Sequence, residues 1–424
     1  MRVLVVGGGA REHALCWKLG GERGASEIFC APGNAGIARD FRCLPADAGR
    51  PADVVALVER ERIDLTVVGP EGPLTAGLVD SLGAAGHRAC GPTRLAAEIE
   101  SSKAFAKRLM AACGVPTARS VTCTALSDAL GVLRDERFGY PVVVKADGLA
   151  AGKGVTVALD RASAETAVGE MMVDRRFGDA GSAVVIEEYL RGREASFFVL
   201  TDGVRARVLP SAEDHKRAFD GDGGPNTGGM GAFAASPLVT EAMADRILDS
   251  IVEPALRGLR GEGRPYRGFL YCGLMITDDG PKVVEFNARL GDPEAQVVLP
   301  ALDEDLLPHL WNAAGGAIEP GAFRVRPDRY VGVVLASGGY PGAFETGKAI
   351  AGLDDPALRD GAQVFYAGVA DRGGALVTAG GRVLTVVAGG AGFAEAREAA
   401  YAAASRISFE GMHYRRDIGV RAIG

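Results

Sequence analysis

Along the first hundred residues, short apolar runs alternate with stretches whose apolar positions recur at helical spacing. Residues 3–6 and 65–68 read as buried strands, and 11–19, 53–61 and 79–85 as helices. Strand and helix in turn predict a parallel sheet covered by helices. A helix over 101–114 follows, ended by Gly114 and Pro116. Beyond Tyr140 the signal changes. Residues 141–145, 155–159, 183–188 and 194–200 are strand candidates, with a helix around 162–173, which together make a small β-rich unit. Residues 201–320 return to mixed α/β, and 221–231, GDGGPNTGGMG, is almost pure loop chemistry. Strands at 330–336 and 383–388 and a helix at 394–408 complete the pattern.

Composition narrows the class. A chain of 424 residues exceeds one ordinary core and predicts roughly two to four packed subdomains. With 47% hydrophobic and 24% charged residues it reads as globular rather than disordered. A net charge of −7 without a long basic run argues against nucleic acid as a partner. Seven cysteines, odd in number and without a CxxC pair, fit a reducing, cytoplasmic setting. The first apolar run is short and breaks into glycines, unlike a signal peptide, and no apolar stretch is long enough to span a bilayer.

The chemistry concentrates in a few segments. In KVVEFNARLGDPEAQ (282–296), an extended 283–289 would put Glu285, Asn287 and Arg289 on one face, and Val284, Phe286 and Ala288 against the core. A carboxylate and a carboxamide two residues apart suit a hard cation such as Mg²⁺, while Arg289 could neutralise a phosphoryl group. A strand with one solvated face is the plain alternative, against which Asp292 and Glu294 in the adjoining loop weigh. VVVKADGLAAGKGV (142–155) runs from a strand ending at Lys145 through Gly148, Gly152, Lys153 and Gly154 into another strand. That is the pattern of a mobile phosphate cover, with Lys145 and secondarily Lys153 on phosphates. It lacks the spacing of a Walker A loop, and an ordinary hairpin with surface lysines is its alternative.

The segment 184–197, VVIEEYLRGREASF, could offer backbone groups to an adenine edge and Glu194 to a ribose, although paired glutamates at a strand end are often simply solvated. Asp214, His215, Lys216 and Arg217 open a glycine-rich stretch reaching Gly228 and Gly229, a mix that suits an anionic substrate carrying an amine, or else a surface loop. VVGGGAREHAL offers a glycine turn, Gly8 and Gly9, at a helix start, where anions bind. Glu12 replaces the third glycine of a dinucleotide fingerprint, and no acid ends the strand at 28–30, so a ribose phosphate fits better than NAD. Asn34 in APGNAG and Glu71 in GPEGPL would lie at strand C-terminal ends of the same sheet. His13 reads equally as ligand contact or packing. Five scattered histidines do not suggest zinc, and no GxSxG elbow is present.

Taken together and in order, SKAFAK, KADGLAAGKGV, 214–232, 271–300 and the final EGMHYRRDIG resemble the glycinamide ribonucleotide synthetase family over nearly the whole chain. The resemblance implies an α/β fold with a Rossmann-like N-terminal domain (1–101), an ATP-grasp domain (102–325) with a β-rich lid at about 120–191, and a small mixed α/β C-terminal domain (326–424). It implies Lys103 and Lys145 on phosphates, Glu187 and the backbone near Leu190 at adenine, and Glu194 at ribose. Glu285 and Asn287 match metal ligands for Mg²⁺ or Mn²⁺, and Arg289 with 214–231 falls where substrates meet the γ-phosphate. Two departures stand out: Ala10 where a glycine is usual and Tyr366 where a histidine is expected. The implied reaction joins glycine to 5-phosphoribosylamine at the expense of ATP, through glycyl phosphate, with product passing to the next purine-pathway enzyme. A related ATP-grasp carboxylase or ligase, an NAD-dependent oxidoreductase and a non-catalytic nucleotide sensor are the alternatives. Glycine-dependent ADP release, NADH binding and the Glu285–Asn287–Arg289 set discriminate among them.

Overall fold

The computed structural model describes residues 1–150, 154–358 and 361–423. Strands β1 (Arg2–Gly7), β2 (Glu27–Pro32), β3 (Arg42–Cys43), β4 (Leu65–Val68) and β5 (Ala89–Cys90) form a parallel sheet in the order β3-β2-β1-β4-β5. Helices α1 (Ala10–Gly20) and α2 (Pro51–Glu61) flank it. Val3 and Val5 enter one core while Leu4 and Val6 enter the other, so β1 is apolar on both faces, as a helix-covered parallel strand must be.

A second, antiparallel sheet, ordered β6-β9-β7-β8, comprises β6 (Ser120–Cys123), β7 (Val142–Ala146), β8 (Val155–Ala158) and β9 (Val184–Glu188). It has a core of its own, in which Val144 and Ile186 pack against Val168 and Met171 of the helix Arg161–Met172. That core is separate from the clusters that hold the other two sheets together.

The largest sheet has ten strands. Its continuous path starts at β17 (Gly280–Asn287) and β16 (Gly268–Thr277), crosses β10 (Arg193–Thr201), β12 (Ala212–Asp214) and β15 (Gly231–Ala234), and ends with β19 (Arg329–Ala336), β23 (Arg382–Gly390) and β20 (Ala362–Tyr366). Two short strands, β11 (Ala206–Val208) and β18 (Gly321–Ala322), pair off this path, and β21 (Val369–Arg372) and β22 (Ala375–Thr378) form a hairpin. The strands beyond residue 328 thus join the same sheet as the preceding ones, through Gly231↔Val333 to Ala234↔Tyr330.

Two expectations need correcting. The stretch 221–231 is not all loop: β13 (Arg217–Phe219) and β14 (Gly223–Asn226) pair as a hairpin and Gly231 opens β15. The pairing is short and β14 is largely exposed, so no apolar alternation marks it. In β17, Val284 does not face the core. A bulge opposite Gly273 and Leu274 lets Val283 and Phe286 both pack inward and turns Val284 away. No helix among the described residues is long and apolar enough to cross a membrane.

The N-terminal sheet is tied to the last strands through α1. The backbone N–H of Tyr366 donates to His13 Nδ1 at 3.0 Å, and the two rings stack with centroids 5.3 Å apart. The Tyr366 ring fills the space beside Gly36, where a Cβ would stand 2.1 Å from it. Burial lowers the His13 pKa to about 4, from 6.5. The neutral ring therefore contributes stability that is complete above pH 6.5 and lost as pH falls toward 4. His13→Leu leaves the Tyr366 N–H without an acceptor and should cost about 1–3 kcal/mol at pH 7. Wild type should lose that advantage by pH 5, because only its unfolded state gains a proton on the way down. Urea unfolding at both pH values measures the gap, and a gap that widens on acidification contradicts the assignment.

Candidate active site

A cavity of about 540 Å³ lies where the three sheets meet. Its apolar part is built from Met110, Val143, Val157, Leu190, Met275 and the turned-out Val284. Charged side chains crowd the remainder, and their pairing dictates the geometry because an unpaired buried charge is costly.

Helix Lys103–Cys113 presents Lys103 and Lys107 one turn apart. Ser102 caps it, accepting from the Phe105 N–H at 3.0 Å, and Asp147 accepts from the Ala104 N–H at 3.1 Å. Lys103 Nζ donates to the Gly148 carbonyl at 2.8 Å. Gly148 holds φ +135°, and a Cβ there would stand 2.6 Å from Ala180 Cβ, so glycine is required in this turn. Lys107 and Lys145 share Glu187 Oε2, at 3.1 and 3.0 Å, and Lys145 also donates to the carbonyl of Val284 at 3.0 Å. The bulge that turns Val284 outward thus accompanies an acceptor for a buried ammonium. Glu187 Oε1 is buried and has no partner among the described residues. Burial lowers the pKa of both Lys103 and Lys107, against the pull of Glu285 and Glu187 respectively.

At the end of β17, Glu285 and Asn287 enter the cavity. No cluster of three His, Cys, Asp or Glu able to hold a metal occurs among the described residues. Two oxygen donors with room beside them suit a hard cation that keeps water and ligand phosphate in its remaining positions. Arg289, next along, pairs with Glu100 at 2.8 Å and Glu71 at 3.2 Å. Burial opposes the charge on Arg289, but Glu100 and Glu71 raise its pKa above the ordinary arginine value. Glu100 itself is pushed up by burial, and Glu71, despite burial, is held down by Arg289 and Arg11.

The wall opposite comes from β12 and the β13–β14 hairpin. Asp214 and Lys216 face the cavity, and Lys216 pairs with Glu194. The intervening His215 points the other way, 1% exposed, and burial together with Arg415 lowers its pKa to about 3. Burial raises the Asp214 carboxyl to about 7. Arg382 of β23 reaches in to pair with Asp292 at 2.9 Å and donates to the carbonyl of Gly228 at 2.6 Å.

Of the residues singled out in the sequence, the cavity gathers Glu71, Lys103, Lys145, Gly148, Gly154, Glu187, Leu190, Glu194, Asp214, Lys216, Gly228, Glu285, Asn287, Arg289 and Asp292. Gly152 and Lys153 lie outside the described residues. Gly8, Gly9, Asn34 and Gly229 do not line it. A Cβ on Gly8 would stand 2.6 Å from the Gly33 carbonyl oxygen, so Gly8 allows two turns to touch. Asn34 Nδ2 donates to the carbonyls of Gly8, Tyr366 and Ala367, while its Oδ1 accepts from Gly36 and Ile37. The Gly9 N–H at the start of α1 donates to Glu12 Oε2 at 2.7 Å, so the helix's own carboxylate occupies that donor. A Cβ on Gly229 would press on Pro293 at 2.3 Å.

Sequence reasoning passed over Lys107, Glu100, Arg11 and Arg382. Lys107 was findable, since Lys103 at i−4 shares its helix face. Arg382 lies 90 residues from Asp292, and nothing local marks it.

Comparison with known proteins gives the same order of parts. Models of the phosphoribosylglycinamide synthetase N domain, ATP-grasp (A) domain and C domain match residues 1–100, 101–295 and 330–421. The chain is 48% identical over 423 residues to phosphoribosylamine–glycine ligase of Rhizobium meliloti (strain 1021), covering 100% of this chain and 99% of that one. It is 49% identical over 428 residues to the same-named protein of Allochromatium vinosum, again covering 100% and 99%. The crystal structure of phosphoribosylamine–glycine ligase from Thermotoga maritima superposes with a TM-score of 0.85 at 35% identity, over 98% of this chain and 100% of that one. Biotin carboxylase from Campylobacter jejuni shares the fold, with a TM-score of 0.76 at 16% identity over 99% and 94% of the two chains.

Asp214 titrates near 7 in the folded chain, against 3.8 for an ordinary aspartate. Between those values the folded state binds a proton that the unfolded state has released. The stability this supplies is full below pH 3.8 and lost as pH rises to 7. Asp214→Asn cannot titrate, so its stability relative to wild type should improve by roughly 2 kcal/mol between pH 5 and pH 8. Urea unfolding of both proteins across that range provides the measurement. A difference independent of pH would mean that the carboxyl is ionised throughout.

Proposed function

The chain belongs to the phosphoribosylglycinamide synthetase family, and from that membership we propose how its cavity divides the work of ligation. It is an ATP-dependent ligase of purine biosynthesis that joins glycine to 5-phosphoribosylamine, giving glycinamide ribonucleotide, ADP and phosphate. The division of labour rests on one juxtaposition: Glu285, Asn287 and Arg289 line the same cavity as Lys103 and Lys145.

In this reading adenine lies in the apolar end of the cavity. Its amino group supplies the donor that Glu187 Oε1 lacks, near the backbone of Leu190, and Glu194 takes the ribose. Lys103 and Lys145 hold phosphate oxygens, with the 148–154 segment as cover. Glu285 and Asn287 would hold Mg²⁺ or Mn²⁺, which when bound shields the phosphate oxygens. Asp214, Lys216 and Gly228, with Asp292 and Arg289, receive the other substrates. Gly8, Gly9, Asn34 and Gly229, which do not line the cavity itself, complete the substrate site in this reading.

The chemical need is simple. A carboxylate repels an approaching amine and has no good leaving group. A glycine oxygen attacks the γ-phosphorus of ATP, the bond to the ADP oxygen breaks, and glycyl phosphate forms. The amine of phosphoribosylamine then attacks the acyl carbon, phosphate departs, and the nitrogen sheds a proton. Arg289 and the lysines offset the charge that moves. Closure of the cover keeps water from the acyl phosphate. We place the enzyme in the cytoplasm, which its seven free thiols suit, handing product to the next enzyme of the pathway.

Glycine carrying ¹⁸O in its carboxylate tests the intermediate. One labelled oxygen should appear in the inorganic phosphate, because that atom bridged carbon and phosphorus. Unlabelled phosphate, or AMP as the nucleotide product, overturns the reading. Bicarbonate or formate in place of glycine should release no ADP. Glu285→Gln should fold within about 1 kcal/mol of wild type and lose at least about a hundredfold in turnover. Near-normal turnover at limiting Mg²⁺ would remove Glu285 from the metal site.

A further inference from the structure

Among the largest fully buried side chains is an arginine far from the cavity in sequence. Arg415 is 1% exposed, and its guanidinium reaches one hairpin both directly and through Asp417 of its own tail. Its Nε and Nη2 fork onto the two oxygens of Asp417, each at 2.7 Å, and Nη1 donates to the Arg217 carbonyl at 3.1 Å and to Asp222 Oδ1 at 3.0 Å. The other oxygens and amides of the tail continue the seam. Asp417 Oδ2 accepts from the Gly221 N–H at 2.9 Å, the Arg416 N–H donates to Asp220 Oδ1 at 2.7 Å, and Arg421 pairs with Asp222. His413 Nε2 meets the Ala218 carbonyl at 2.8 Å, and its ring abuts Phe219.

The hairpin so held is β13–β14, a two-stranded ladder joined to neither neighbouring sheet. Such a ladder is marginally stable alone in water. Both ends of it enter the cavity wall. Asp214 and Lys216 precede it, Asn226, Thr227 and Gly228 close it, and the Thr227 N–H donates to the Lys216 carbonyl at 2.7 Å, locking one end to the other. A shift of the ladder therefore moves the whole wall together.

We propose that Arg415 is a positioning residue for ligation: through Asp417, Asp222 and the Arg217 carbonyl it seats the β13–β14 hairpin, and with it the wall that receives the amine-bearing and carboxylate substrates. The inference rests on the division of the cavity given above, in which this wall takes the other substrates and meets the ATP region only through the Lys216–Glu194 pair. A guanidinium is needed because its planar fork serves a carboxylate, a second carboxylate and a carbonyl at once, which an ammonium cannot do in fixed directions.

Two variants and two readouts test it. Arg415→Lys keeps the charge and loses the fork. Asp222→Asn acts at the hairpin's exposed rim, where folding of the rest is not at stake. Hydrogen exchange over 217–226 in the ligand-free protein reads the clamp without reference to any activity. Steady-state kinetics reads its effect on substrates. Amide exchange across the hairpin should quicken by at least about tenfold in both variants. KM for glycine or phosphoribosylamine should rise at least about fivefold, while KM for ATP stays within about twofold. Exchange that does not change overturns the proposal. So does faster exchange with all Michaelis constants unmoved, or an equal rise for ATP. Failure of the wild type to consume glycine would instead refute the ligase reading, and the exchange arm would still report whether the clamp exists.

Discussion

Arg289 sits between two carboxylates, Glu100 at 2.8 Å and Glu71 at 3.2 Å, and this triad fixes where three parts of the chain meet. Glu71 begins the helix that follows β4, Glu100 belongs to the short helix leading into Lys103, and Arg289 follows β17. Glu100 also accepts from the Ala288 N–H at 2.6 Å, which pins the strand end itself. Such a cluster adds little stability over apolar packing, yet removing one member leaves a buried charge unmatched and costs about 3–5 kcal/mol. Its value is positional. With the end of β17 held against the N-terminal sheet, Glu285 and Asn287 project into the same volume as Lys103 and Lys145.

The same rule shapes the ligand-free cavity. Lys145 and Lys107 rest on Glu187, Lys216 on Glu194, and Arg382 on Asp292. The cations of the cavity thus stand beside acids that hold them in place before any ligand arrives. Preorganisation of this kind avoids ordering long side chains at the moment of binding. It leaves few unmet groups, and the Glu187 Oε1 atom is one of them.

How much of this was legible in the sequence depends on the range of the signal. The parallel sheet, the lid strands and the helix from Lys103 announced themselves through local periodicity, and the cavity gathers most of the residues picked out for their chemistry. Glu285 and Asn287 were picked out because they share a strand, and both line the cavity. The Val284 error came from assuming strict alternation, which a single bulge defeats. Gly8, Gly9 and Asn34 were picked out as substrate contacts, and the structure places them in touching turns that do not line the cavity. Arg382 was out of reach because only the pairing of β19 with β23 brings it to Asp292.

The continuity of the ten-stranded sheet has a consequence for biosynthesis. β15 must wait nearly a hundred residues for β19, and β23, with Arg382 upon it, comes later still. At about 5–20 residues per second, the ribosome leaves the edge of β15 unpaired for several seconds. The N-terminal sheet, whose partners are all in hand by Cys90, can fold well before that. The nascent chain therefore carries a finished first domain and an open strand edge side by side, a state in which pairing with another chain competes with completion.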